Sequence, residues 1–254
     1  MNIMPKIILT LACASLSQNI FASEQVTIAT DATFPPFESV DDTGKLIGYD
    51  IELAEEICKA AKIDCKIINA AWDGMIPGLI NRKYDALISQ LTVTEPRRKI
   101  MAFSDIYQRP VFRFVAKKDA ITDTSPAGMK GKVIAVQTGT PMDAYITKNY
   151  KQSNIKRYDG GSAPYLDLIA SRADVHMSYE AQIIHSFLKK DNGQGFELVG
   201  PRLTGKDAPE FGEGVAIAIN KNNSALLKKI NLGLEKVRAE GILDTLDKKY
   251  FSAE

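Results

Sequence analysis

Short β-branched runs alternate with amphipathic stretches along this chain, and that alternation leaves few folds open. Val26–Thr30 has the composition of a strand, Asp50 can cap a helix whose Ile51, Ala54, Cys58 and Ala61 share one face, and Cys65–Asn69 is the next strand. Asp73 can cap a second helix that buries Met75, Ile76, Leu79 and Ile80, and Asp85–Ser89 is a third strand. Strands separated by helices pair in parallel, and ligand sites of such sheets lie beyond the carboxyl ends of the strands. Asp31, Trp72 and Ser89 each fall just past a predicted strand end, so all three should line one crevice.

The pattern then restarts. An extended apolar segment, Val111–Ala116, runs into a polar loop, Lys117–Lys132. Strand Val133–Gln137, a helix from Pro141, strand Ile155–Tyr158, a helix from Ser162 and strand Asp174–Ser178 follow. A helix burying Ile183, Ile184, Phe187 and Leu188, strands Phe196–Val199 and Val215–Ile219, and two amphipathic helices broken near Gly241 complete the chain. The fold class is therefore α/β, in two units of similar plan.

At 254 residues the chain is long enough for two medium domains, and 32 basic against 31 acidic residues leave no footprint for nucleic acid or an anionic membrane. Residues 1–23 read as a signal peptide: Lys6, an apolar core Ile7–Leu16, and Ile20-Phe21-Ala22 before a cleavage site. Lipid attachment at Cys13 competes with this, but Thr10-Leu11-Ala12 matches a lipoprotein signal poorly. Export makes a local bridge between Cys58 and Cys65 reasonable, with buried free thiols as the alternative. His176 and His185 lack partners at metal-ligand spacing, so no metal site is expected.

The segment Ser89-Gln90-Leu91-Thr92-Val93-Thr94-Glu95-Pro96-Arg97 has the makings of a carboxylate site. Small hydroxyls and free backbone N–H groups end a strand, Thr94 and Pro96 start a helix, and Arg97 can grip a carboxylate with two parallel bonds. Thr138-Gly139-Thr140-Pro141-Met142-Asp143 is a second anion-seeking turn: Thr140 caps, Asp143 completes a capping box, and free N–H groups face outward. By itself this turn is simply a well-capped helix start. Together with an acid at Asp31 and rings at Phe34 and Trp72, the two turns suit a ligand with a carboxylate, a distant cation and a flat or aliphatic stem.

Several motifs carry a resemblance over essentially the whole mature chain: Thr30-Asp31-Ala32-Thr33-Phe34-Pro35-Pro36-Phe37, Gly48-Tyr49-Asp50-Ile51, Trp72-Asp73-Gly74-Met75-Ile76-Pro77, Leu91-Thr92-Val93-Thr94 with Arg97, Phe103-Ser104-Asp105 and Lys248-Lys249-Tyr250-Phe251. With these the chain resembles the periplasmic polar amino acid-binding proteins of ABC importers, in the lysine/arginine/ornithine- and histidine-binding group. The resemblance implies two lobes, each a mainly parallel sheet flanked by helices, joined by a two-strand hinge. Residues 24–111 and 208–254 would form one lobe and 116–203 the other, hinged near 112–115 and 204–207. It further implies an exported monomer that captures an amino acid in the periplasm for a membrane permease, with no cofactor.

Carried over by position, Arg97 would take the α-carboxylate with Thr140, and Thr92 with Ser89 and Gln90 the α-ammonium. Asp31 would meet a side-chain cation, and Phe34 and Trp72 would sandwich the stem. The spacing of Cys58 and Cys65 also matches a disulfide of the basic amino acid binders.

One departure matters. The family usually places an Asp where this chain has Tyr179, followed by Glu180, and Gln137, Pro141 and Met142 also replace common residues. Either Glu180 compensates, or the ligand lacks a free primary α-ammonium, as an opine-type conjugate does. The intact Asp31 and ring pair favour plain arginine, lysine, ornithine or histidine. A cyclohexadienyl dehydratase-like enzyme is the rival of another class, since those proteins also lose the Asp. No nucleophile paired with a base supports it here. A ligand sensor that shows its closed form to a membrane receptor is a further rival.

Overall fold

The computed structural model describes residues 25–252, so the expected signal peptide and Cys13 lie outside the described residues. The first half of the chain runs β1 (Val26–Thr30), a small antiparallel ribbon of β2 (Thr33–Phe34), β3 (Glu38–Val40) and β4 (Leu46–Ile47), then α1 (Tyr49–Ala61) and β5 (Cys65–Asn69). It continues through α2 (Trp72–Ile80), β6 (Ala86–Leu87), α3 (Glu95–Ile100) and β7 (Met101–Phe103). The second half supplies β8 (Phe112–Lys117), β9 (Val133–Gln137), α4 (Pro141–Asn149), β10 (Asn154–Tyr158), α5 (Ala163–Ile169), β11 (Val175–Tyr179), α6 (Glu180–Ile183) and β12 (Phe196–Leu203). β13 (Ala218–Asn220), α7 (Ser224–Ala239) and α8 (Ile242–Phe251) close the chain.

Two five-stranded sheets result, in the orders β5-β1-β6-β13-β7 and β10-β9-β11-β8-β12. In each, three neighbouring strands are parallel and a fourth, β13 or β8, runs antiparallel to both its neighbours. The chain leaves the first sheet after Phe103 and returns to it at Ala218. The two crossings lie against each other: Ser104 N donates to Ile217 O, Tyr107 N to Val215 O and Val215 N to Gln108 O. Phe112–Val115, placed near the hinge by the sequence reading, pair within β8 between β11 and β12.

Some elements differ locally from the sequence expectation. Asp50 is not a cap: Gly48 holds that position, and Asp50 is buried in the first turn of α1. Ala71 rather than Asp73 precedes α2, and Thr94 precedes α3 without a side-chain bond. The helix after β11 is one α-turn, α6, that widens into a π-turn over Ile184–Leu188. The Val215–Ile219 strand is confined to β13, while Val215 makes isolated bridges to Thr92 and Gln108.

Burial follows the apolar periodicity. Leu53, Ala54, Ile57 and Cys58 of α1 pack with Leu226, Ile230, Leu234 and Val237 of α7. Gly233 makes that approach close, since a Cβ there would stand 2.6 Å from Ile57 O. A disulfide between Cys58 and Cys65, Cα atoms 6.2 Å apart, ties the end of α1 to the start of β5.

Candidate functional site

The carboxyl ends of the parallel strands of both sheets face a common cleft, as the alternation of strands and helices requires. A cavity there is lined by Asp31, Phe34, Glu38, Trp72, Ser89, Gln90 and Arg97 from the first half of the fold, and by Gln137, Thr140, Pro141, Met142 and Tyr179 from the second. Nine of the ten predicted site residues are thus brought together. The tenth, Thr92, is fully buried behind the wall, its hydroxyl 2.6 Å from Tyr179 Oη. About 320 Å³ of space lies between the walls out to the mouth, but the centre of a water molecule has only about 20 Å³ to occupy. That is one water's worth. An amino acid therefore enters only when the walls part.

Hydrogen bonds hold the walls together. Trp72 Nε1 donates to Thr138 O (2.9 Å), Arg97 Nη2 to Gly139 O (3.1 Å) and Gln137 Nε2 to Asp31 Oδ2 (3.2 Å). Gly161 N donates to Thr33 Oγ1 (3.0 Å) and Ser162 Oγ to Thr33 O (2.7 Å).

Arg97, in the first turns of α3, is 8% exposed. Its guanidinium donates to Thr92 O (3.0 Å) and Gly139 O, and lies 5.6 Å from the Trp72 ring centre. Among the described residues no carboxylate pairs with it. Burial lowers its pKa to about 10, so it stays charged at neutral pH. A buried cation with no protein counter-ion favours an arriving anion, because the anion would offset the desolvation that burial has already imposed.

The second anion turn differs from its expectation. Thr138 N donates to Tyr158 O and Gly139 N to Asp143 Oδ2 (3.0 Å), so these groups are not free. The turn instead presents carbonyl oxygens to Trp72 and Arg97. Thr140 does cap α4, its Oγ1 accepting from Asp143 N (3.2 Å) while donating to Gln137 O (2.7 Å), which leaves its hydroxyl engaged locally. The capping box is displaced by one residue, since Asp143 reaches back to Gly139 rather than to Thr140.

At the acidic part of the cavity, Asp31 accepts from Thr33 Oγ1 (3.0 Å) and Gln137 Nε2. Burial raises its pKa against those two bonds. Ser89 Oγ accepts from Asp31 N (3.0 Å) and donates to Glu38 Oε1 (2.9 Å). Behind Ser89, Asp50 accepts from Gln90 N (2.7 Å), Gln90 Nε2 (2.9 Å) and Tyr107 Oη (2.9 Å). This clamp holds Gln90 at φ +46°, a left-handed conformation costly for a residue with a Cβ, and turns its carbonyl to Tyr179. Burial raises the Asp50 pKa to about 6, and burial plus the Asp50 charge push Glu38 well above the usual carboxylate range.

Sequence reasoning missed Glu38 and misread Asp50. A helix start explained Asp50 on its own, and no local partner drew notice to Glu38.

Tyr179 ends β11 with its ring edge-on to Phe34 (5.5 Å) and Phe112 (5.0 Å). Its hydroxyl donates to Gln90 O (2.9 Å) and meets Thr92 Oγ1. Burial raises its pKa, so the phenol is neutral. Glu180 offers no compensation: it pairs with Arg113 (3.3 Å) and Arg202 (3.1 Å) and does not line the cavity.

Comparison with known proteins agrees with this geometry. Residues 26–253 match the family described as bacterial extracellular solute-binding proteins, family 3. An L-arginine-binding protein of Pseudomonas aeruginosa is 36% identical over 245 residues, 95% of this chain and 94% of that protein. A histidine-binding periplasmic protein of Salmonella typhimurium is 33% identical, covering 90% of this chain and 88% of its own length. Among solved structures, a periplasmic binding protein of Salmonella typhimurium described as highly arginine-specific superposes with a TM-score of 0.83 at 29% identity, covering 90% of this chain and 99% of that one. The chain belongs to the bacterial extracellular solute-binding proteins, family 3.

Proposed function

We propose that this protein is the periplasmic capture component of an ABC importer and that it takes a cationic amino acid, or a close derivative of one, between two closing lobes. The observation that carries the reading is Arg97: a buried guanidinium facing the cleft without a carboxylate partner, beside the Trp72 ring. The ligand carboxylate binds there, the stem lies along Phe34 and Trp72, and the far cation meets Asp31 in place of Gln137. Residues 24–111 and 208–254 act as one lobe and 116–203 as the other. A ligand that touches both lobes favours the closed population, which the permease distinguishes from the open one.

The relatives compared above are named as binding proteins, and the enzyme reading finds no support in the cavity. Glu180, the acid that follows Tyr179, is held by two arginines away from the lining, and among the described residues no thiol, amine or imidazole nucleophile stands beside Asp31 or Glu38, whose hydrogen-bond partners are Thr33, Gln137 and Ser89.

Calorimetric titration with arginine, lysine, ornithine, histidine and glutamine, each with and without its α-amino group, tests the reading. Cation-bearing ligands should bind, and Asp31→Asn should weaken them at least tenfold. Binding of glutamine or its desamino analogue as tight as that of the cationic ligands, unaffected by Asp31→Asn, would overturn it.

A further inference from the structure

We infer that the cavity is built for a carboxylate with no ammonium on its α-carbon, and that the Tyr179 hydroxyl is the group that sets this preference. The inference rests on the reading that Arg97 takes the ligand's carboxylate. An α-ammonium sits one carbon from that carboxylate, so its acceptors must lie beside Arg97. Thr92 is the residue there, its carbonyl accepting from Arg97 Nη1 at 3.0 Å. Its hydroxyl is 2.6 Å from Tyr179 Oη, and the adjoining acceptor, Gln90 O, takes the Tyr179 hydroxyl at 2.9 Å. A neutral phenol thus joins the two oxygens that an ammonium would need.

Among the described residues no carboxylate bonds either of these oxygens: Asp50, the acid behind Gln90, is occupied by Gln90 N, Gln90 Nε2 and Tyr107 Oη and does not line the cavity. Glu180 is engaged by Arg113 and Arg202. Asp31 has Thr33, Gln137 and Ser89 for partners, none of which bonds to Arg97. Gln90 Oε1 and Glu38 Oε2 are buried without partners, but the first is an amide oxygen and the second belongs to a carboxyl that is bonded to Ser89 and whose pKa burial and the Asp50 charge raise well above the usual carboxylate range. An ammonium at this point would be buried beside a guanidinium with neutral acceptors alone, whereas a CH₂ or an acylated nitrogen carries no such penalty. Asp50 holds the Gln90 carbonyl in place through both the backbone and the side-chain amide, so the Tyr179 contact is rigidly supported.

Paired ligands test this on the mature protein by calorimetry: L-arginine against 5-guanidinopentanoate, L-lysine against 6-aminohexanoate, and L-glutamine against its desamino analogue glutaramate. The ammonium-free member should bind at least tenfold tighter. In Tyr179→Asp, which supplies a counter-charge, the preference should reverse by at least tenfold. Tyr179→Phe, which keeps the ring and frees both oxygens, should narrow the gap. Tighter or equal binding of the amino acids by the unaltered protein would overturn the inference and leave the cationic-ligand reading intact. Discrimination within the glutamine pair alone would uphold the inference and remove the cationic ligand, and failure of every acid to bind would remove both.

Discussion

Glu38 and Asp50 show what a single pair of side chains can contribute from behind a binding wall. Both are buried, and burial raises both pKa values, that of Asp50 to about 6 and that of Glu38 well above 4.5. At these two sites the folded protein therefore binds more protons than the unfolded chain above about pH 4.5. The stability associated with these protons is fully present below that pH and is lost as the pH rises through the folded values. His176, buried and lowered to about 4, acts in the opposite sense between pH 4 and 6.5, so the comparison must be with a variant. Glu38→Gln keeps an oxygen for the Ser89 hydroxyl and removes the charge. Its melting temperature relative to wild type should rise between pH 5 and pH 8 by about 2–4 °C, the shift that about 1 kcal/mol gives a domain of this size. A constant difference across that range would show that the carboxyl pair does not hold the extra proton. None of this was legible locally. Arg97, Asp31, Phe34 and Trp72 could be picked out because a helix start, a strand end and a Pro-stiffened loop announce them within a few residues. The bonds joining Asp50 to Gln90, Glu38 to Ser89 and Tyr179 to Thr92 span 40, 51 and 87 positions, and only the assembled sheets bring them together.

At the scale of elements, periodicity located most of the strands and helices, and the errors lie where tertiary contacts take over. Asp85–Ser89 reads as one strand, but β6 stops at Leu87 because Ser89 and Gln90 turn aside to Glu38 and Asp50. The sequence reading also gave no sign that Gly233 is what lets α7 lie on α1. The Cys58–Cys65 disulfide belongs to this scale too, since it fastens α1 to β5. Cys65 begins β5, whereas the cleft lies past Asn69 at its other end. The bridge should therefore govern stability and leave binding alone. Closing so short a loop is worth about 2–3 kcal/mol in the chain-entropy account. The Cys58→Ser/Cys65→Ser double variant should lose about that much in urea unfolding while binding its ligand within twofold of wild type. A tenfold loss of affinity in a variant that remains folded would mean that the bridge shapes the cleft.

For the molecule as a whole, function depends on how readily the walls part and meet, and besides the edge-on contact of Phe34 with Tyr179 the contacts between them include polar ones: Trp72 with Thr138, Arg97 with Gly139, Gln137 with Asp31, Gly161 and Ser162 with Thr33, and Tyr179 with Thr92 and Gln90. Each polar contact is worth about 1 kcal/mol net, and in the open form water can satisfy the same groups. The closed state then depends on what a ligand adds, and a ligand shifts the population only by its preference for that state. Gly161 isolates this step. A Cβ there would stand 2.5 Å from Phe34 Cδ2 and 3.2 Å from Thr33 O, both on the opposite wall. Phe34 is buried among Phe37 and Tyr179 and has little room to yield. Gly161→Ala should thus obstruct closure without disturbing either sheet. Its ligand-free melting temperature should stay within about 2 °C of wild type, a shift of under about 1 kcal/mol, while affinity falls at least tenfold. Small-angle scattering at saturating ligand should keep the radius of gyration of the ligand-free protein instead of contracting. If the variant contracts and binds as wild type does, Phe34 and Thr33 yield to the added methyl, and closure does not depend on the glycine at this contact.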